Sequence, residues 1–222
     1  MKTLDGFLLV DKPPGPTSHD LVDAVRRALG IRKVGHAGTL DPFASGLLII
    51  GVGQATKRLS EFVGLDKEYL ATLRLGAFSD TMDRTGHIVE APGPERQAPN
   101  AREVESVLKR FTGEIEQIPP MYSAKKVDGR KLYELARQGK EVERKPVRVT
   151  IHEIELFSYD WPLMKIRTRV SSGTYIRALA HDIGAALGCG AYLEELRRTK
   201  VGLFDVANAV SPEKINPSLL FR

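Results

Sequence analysis

Apolar residues recur along this chain in two periods, and each switch between them marks out an element. Residues 6–11 (GFLLVD) form a continuous apolar run that predicts a buried strand, stopped by Pro13-Pro14. Leu21, Val22, Val25, Ala28 and Leu29 then fall on one face of a helix that Ser18 can cap and Gly30 can end. A loop holding Gly35, Gly38 and Gly46 leads into the β-branched run 47–52, and residues 55–63 predict a short helix. Residues 69–75 alternate cleanly: Tyr69, Ala71, Leu73 and Leu75 face one way, with Leu70, Thr72 and Arg74 opposite. Residues 92–99 (PGPERQAP) read as a surface linker, and residues 101–111 as a further helix.

In the second half, Asp128-Gly129 marks a turn and residues 131–138 a helix. Residues 147–157 predict a long strand whose apolar parity flips between Ile151 and Ile154, the signature of a bulge. Met164, Ile166, Thr168 and Val170 alternate against Lys165, Arg167 and Arg169. Residues 174–187 predict a helix with core positions Ile176, Leu179, Ala180, Ile183 and Leu187, and an opposite stripe of Thr174, Arg177 and His181. Strands and helices mix without a regular βαβ alternation. That pattern predicts an α+β fold with a mixed, mostly antiparallel sheet.

The 222 residues suffice for one sizeable core, and 42% apolar with 27% charged residues is ordinary globular composition. No apolar run approaches the ~20 residues of a membrane span, and the N-terminus lacks the features of a signal peptide. The single cysteine, Cys189, excludes an internal disulfide and a cysteine metal cluster. A cytoplasmic protein without cofactor or metal is the expectation. The net charge of +5 is unevenly spread: residues 122–150 carry nine Lys and Arg against four acids, so the remainder is neutral. Clustered positive charge fits a phosphate backbone, and a solvated helix face fits it as well.

Residues 35–46 read GHAGTLDPFASG and place one carboxylate, Asp41, in a glycine-bounded loop ahead of a buried strand. Local propensity alone makes an Asp before Pro42 a turn residue. The dense motif around it, however, strongly resembles the catalytic loop of the TruB family of pseudouridine synthases. The resemblance continues through KEYLATLRLGAFSDTMDRTG (67–86), QIPPMYSAKKVDGRKLYELARQG (117–139), VSSGTYIRALAHDIG (170–184) and LRRTKVGLF (196–204). It thus implies one catalytic domain over residues 1–222, with an RNA-contacting segment at about 120–150. The small C-terminal RNA-binding domain of many members is not matched; the sequence stops at NPSLLFR, where that domain would begin.

The resemblance implies a pseudouridine synthase fold: a mostly antiparallel central sheet flanked by helices, with a catalytic cleft across it. It also implies conversion of uridine 55 in the tRNA T loop to pseudouridine by a monomer, with tRNA as partner and no membrane or metal. Breaking N1–C1′ and rejoining through C5 needs neither redox change nor group donor, but it does need one ionised carboxylate at the sugar. By resemblance this is Asp41, as nucleophile at C1′ or base at C2′. Arg177 occupies the family position of its partner, and Tyr69 that of the tyrosine stacked on the target base. Both also have plain readings, as a helix-surface arginine and a core-edge tyrosine. Tyr175 and Leu196 fall on uracil-pocket positions. His36 matches a substrate-binding ring able to fill the place of an extruded base, Lys57 an RNA-backbone contact, and Asp83 the polar network around Arg177. Asp80 and Asp83 lack calcium-loop spacing. Lys125, Lys126, Arg130 and Lys131 are the backbone-contact candidates in the basic stretch. Two alternatives share the motifs: an RNA-binding or tRNA-folding protein, and a synthase acting on another RNA.

Overall fold

The computed structural model describes residues 4–92, 98–123, 125–127, 129–136, 138–140 and 142–221, with the backbone alone at Lys126, Val127 and Lys131. Asp128 of the predicted turn, Arg137 and residues 93–97 of the linker therefore lie outside the described residues, as do the Lys126 and Lys131 side chains.

In chain order the elements are β1 (Gly6–Lys12), α1 (Ser18–Leu29), β2 (Val34–Ala37), β3 (Ser45–Val52), a 3-10 turn (Gly53–Arg58), α2 (Ser60–Val63), β4 (Lys67–Leu75), β5 (Ala77–Ser79) and β6 (Ile88–Glu90). There follow α3 (Ala101–Arg110), β7 (Gly113–Gln117), β8 (Lys126–Val127), β9 (Arg130–Lys131), α4 (Leu132–Ala136), β10 (Val147–Asp160), β11 (Leu163–Val170), α5 (Ile176–Ala186), β12 (Ala191–Val201), β13 (Phe204–Asp205) and three short 3-10 turns. The predicted mixed, mostly antiparallel α+β architecture is present. The chain divides into two units, Met1–Leu70 with Leu196–Arg222, and Ala71–Glu195.

In the first unit β3 lies between β1 and β2, antiparallel to both, with Gly6↔Val52 to Lys12↔Gly46 on one side and Val34↔Val52 to Ala37↔Ile49 on the other. A short parallel pairing, Arg197↔Ser45 and Arg198↔Gly46, joins β12 to β3. β1 is apolar on both faces because both are covered. Leu8 and Val10 pack with Leu21, Val22, Val25 and Leu29 of α1, whereas Phe7 packs with Leu47, Ile49 and Phe62. The helix cap differs from expectation. Thr17 caps α1, its hydroxyl accepting the Asp20 N–H (3.1 Å) while the Asp20 carboxylate accepts the Thr17 N–H (2.8 Å). Ser18 is buried instead and bonds elsewhere. The helix expected over 55–63 divides into the 3-10 turn and α2.

In the second unit β10 pairs antiparallel with β11 on one side and β7 on the other. The predicted bulge is present between Ile151 and Glu153, and a second register shift follows between Leu156 and Ser158. Met164, Ile166, Thr168 and Val170 are buried, as their alternation required. The helix expected over 131–138 is the shorter Leu132–Ala136, and that over 174–187 is Ile176–Ala186. Arg177 is not on a solvent face: it is 5% exposed.

Candidate active site

Asp41, His36, Lys57, Tyr69 and Leu196 belong to the first unit; Asp83, Tyr175, Arg177 and the basic stretch belong to the second.

The loop after β2 that carries Asp41 is held by its main chain. Lys12, at the end of β1, is fully buried, and its ammonium donates to the carbonyls of Pro42 (3.1 Å), Ala44 (2.7 Å) and Pro13 (2.9 Å). Ser18 donates to the Leu40 carbonyl (3.1 Å) and accepts the Leu40 N–H (2.9 Å). Arg198 on β12, 1% exposed, donates to the carbonyls of Leu47 (2.7 Å) and Gly38 (3.2 Å). Ala44 N–H closes the turn on the Asp41 carbonyl (3.1 Å), and Gly15 N–H reaches Pro42 (2.8 Å). Gly46 has φ +106°, and a Cβ there would collide with the backbone of Arg198. The close approach of β3 to β12 therefore requires glycine.

Two cations are thus buried around one half-exposed carboxylate. Burial lowers the Lys12 pKa to about 8 against the opposing pull of the Asp41 charge, and the Arg198 charge lowers it further. His36, half-buried on β2, has its pKa lowered by burial first and then by the charges of Arg198 and His19, so its ring is neutral at neutral pH. Its Nδ1 is buried with no hydrogen-bond partner among the described residues. Tyr69 is 8% exposed on β4, two residues from buried Lys67, whose ammonium donates to the carbonyls of Val63 (2.5 Å) and Leu65 (2.6 Å). Leu196 is buried on β12, and Lys57 is exposed on the 3-10 turn.

In the second unit Arg177 lies in the first turn of α5. Its guanidinium donates to the carbonyls of Thr81 (3.1 Å) and Tyr122 (2.7 Å) and faces the Asp83 carboxylate at 3.3 Å, both side chains being 5% exposed. Asp83 is fixed in turn by Thr81 Oγ1 (3.0 Å), Thr85 N–H (2.9 Å) and Thr85 Oγ1 (2.5 Å). Asp80 accepts the His87 N–H (2.8 Å), so the two aspartates of this turn serve different bonds. Tyr175, half-buried, immediately precedes α5. β8 and β9 form a hairpin with Lys126 opposite Lys131; Lys125 is half-buried beside it and Arg130 is exposed. Among the described residues no group of three or more His, Cys, Asp or Glu side chains is arranged to hold a metal. No described helix is long and apolar enough to cross a membrane.

Lys12, Ser18 and Arg198 were missed from the sequence. Lys12, a lysine ending an otherwise buried apolar strand, was the available signal.

Residues 26–176 match the sequence model of the TruB family pseudouridylate synthase N-terminal domain, and residues 177–221 that of the tRNA pseudouridylate synthase B C-terminal domain. The chain is 51% identical over 218 residues to tRNA pseudouridine synthase B of Azoarcus sp. (strain BH72), covering 98% of this chain and 71% of that one. It is 47% identical to tRNA pseudouridine synthase B of Protochlamydia amoebophila (strain UWE25), covering 96% and 80%. Among solved structures, a chain of a Cbf5-Nop10-Gar1 complex aligns with a TM-score of 0.73 at 32% identity, covering 93% of this chain and 52% of that one. A chain of an H/ACA RNP bound to a substrate RNA containing 2′-deoxyuridine aligns at 0.70 and 30%, covering 94% and 51%. This chain thus spans about half the length of those solved chains.

Proposed function

Because the chain belongs to the TruB family of pseudouridylate synthases, we propose that it isomerises uridine 55 in the T loop of tRNA to pseudouridine. The observation that carries this reading is the Asp41 loop, with its backbone held by Lys12, Ser18 and Arg198 around a half-exposed carboxylate. A carboxylate held on a fixed backbone can meet a sugar carbon in a defined direction, which is what proximity catalysis needs.

In the proposed reaction the N1–C1′ bond breaks, the freed uracil turns, and C5 bonds to C1′. The C5 proton leaves to solvent and N1, freed from C1′, takes one proton up, so atoms and electrons balance without a co-reactant. Asp41 acts at the sugar, as nucleophile at C1′ or base at C2′. By their family positions Tyr69 is assigned to stacking on the target base, Tyr175 and Leu196 to contacts with the uracil, and Arg177, oriented by Asp83, to the carboxylate's charge. The target uridine must leave its stack to react. A neutral His36 ring with an unused buried nitrogen suits the space it vacates. Lys57, Lys125, Lys126, Arg130 and Lys131 contact the RNA backbone. The protein works as a cytoplasmic monomer without cofactor. Identity of 51% to a tRNA pseudouridine synthase B against 32% to a chain of a Cbf5-Nop10-Gar1 complex favours tRNA over an RNA presented by a guide particle.

Tritium release from tRNA carrying C5-labelled uridine, followed by mapping of the modified position, tests this. The expected result is release accompanied by modification in the T loop. Modification found solely outside that loop overturns the substrate assignment.

A further inference from the structure

Gln117, the last residue of β7, is fully buried in the second unit, and no step of the reaction uses it. Its side-chain oxygen accepts the Tyr175 N–H (3.0 Å), and its side-chain NH2 donates to the Tyr175 carbonyl (3.3 Å). One amide thus pairs with both polar groups of a single residue, the exchange that two residues make across an antiparallel ladder. Tyr175 is the N-terminal cap residue of α5 and lacks a side-chain cap of its own; its carbonyl also accepts the first helical bond, from Leu179 N–H (3.0 Å). The backbone of Gln117 is fixed meanwhile by pairing with Val147 of β10.

We infer that Gln117 is a positioning residue that sets the start of α5, and through it Tyr175 and Arg177, for the isomerisation proposed above. Two features support a specific role over generic packing. The segment from Gln117 to Tyr122 grips the first turn of α5 twice: at Tyr175 through the Gln117 amide, and at the Arg177 guanidinium through the Tyr122 carbonyl (2.7 Å). Moreover, the pairing needs one donor and one acceptor at fixed separation in a site closed to water, which the glutamine amide supplies. A carboxylate there would set a charged oxygen against the Tyr175 carbonyl; the protonated acid could make both bonds.

This yields a test that loss of packing alone would not pass. Gln117→Glu is assayed in single-turnover tritium release from tRNA across pH, as a ratio to wild type, with tRNA affinity measured in parallel. Burial and the facing carbonyl raise the pKa of the new carboxyl, so the acid form prevails at low pH and is lost as pH rises. The expected ratio approaches one at the acid end and then falls by about tenfold per pH unit once the carboxyl ionises, with affinity unchanged. A ratio independent of pH, or a loss confined to affinity, overturns the inference. If the charged variant does not fold, Gln117→Met keeps the bulk and has nothing to titrate: a rate reduced at every pH with affinity kept is expected, and a wild-type rate overturns the inference. The inference rests on the synthase reading, and the wild-type arm separates the two. No release by wild type counts against the function, whereas a flat ratio beside an active wild type counts against Gln117 alone.

Discussion

Around Asp41 the anchors are cations and what they grip is main chain: Lys12 and Arg198 donate to carbonyls at Gly38, Pro42, Ala44 and Leu47. Around Arg177 the gripped group is itself the cation, fixed by the Asp83 carboxylate and the carbonyls of Thr81 and Tyr122 among its partners. In the first case the scaffold fixes the path of a loop and brings positive charge close to its carboxylate. In the second it fixes a side chain and spends a buried carboxylate, Asp83, on it. A buried ion pair that loses one member leaves the other uncompensated, whereas a loop that loses one of several main-chain anchors keeps the rest. The second arrangement should therefore fail abruptly, and the first gradually.

Substitutions can sharpen that contrast. The largest effect is expected at the carboxylate the first unit displays: Asp41→Asn keeps the shape and removes the charge, so turnover should vanish while tRNA binding stays near wild type. Tritium release by that variant in single turnover would show that the loop presents something other than the catalytic group. Arg177→Lys comes next, since lysine keeps the charge but loses the planar fork; a fall of about a hundredfold in the chemical step, with affinity retained, is expected. If affinity drops and the rate survives, Arg177 is an RNA contact. Asp83→Asn should act more mildly on rate than the arginine substitution but destabilise by about 3–5 kcal/mol, the cost of leaving a buried charge without its partner, read by denaturant unfolding.

A smaller effect distinguishes the anchoring lysines. Folding lowers the pKa of Lys12 and Lys67 to about 8, from 10.5. Between those values the unfolded chain binds more protons, so these two groups make stability rise with pH across that window. Lys12→Met should flatten the rise by its share; an unchanged slope of unfolding free energy against pH would remove Lys12 from the account. The least effect on chemistry is expected in the basic hairpin. Replacing Lys125, Lys126, Arg130 and Lys131 with Ala should weaken tRNA binding and reduce the log–log salt slope by at most ~0.7–0.9 for each phosphate left without its cation. The rate at saturating tRNA should hold. Unchanged affinity and slope would mark the hairpin as an ordinary solvated surface.

Legibility in the sequence followed the same contrast. β4 and β11 were readable because one apolar face of each alternates with a polar one, and the bulge of β10 because parity broke there. β12 was not. AYLEELRRTKV looks like surface, yet its polar side chains are matched across strands: Glu195 to Thr72, Arg197 to Asp11 and Thr199 to Glu68. A pattern of hydrophobicity is blind to polar groups satisfied by one another. Arg177 was placed on a polar helical stripe for the same reason, because its partners stand 96 and 55 residues away and no local window contains them. Asp41 was singled out by its motif and Lys12 could have been by its place at the end of an apolar strand, whereas Arg198 became visible only once the loop was closed over it.

The way the Asp41 loop is held has a consequence for how freely it can be rewritten. Lys12, Ser18 and Arg198 grip main-chain atoms of residues 38, 40, 42, 44 and 47, which every amino acid carries at those oxygens. The loop is therefore a cassette whose shape is encoded elsewhere, in β1, α1 and β12. Its outward side chains, such as exposed Thr39, can drift or be exchanged by design without moving the carboxylate. The three distant anchors, and Gly46 beneath them, are where drift is arrested.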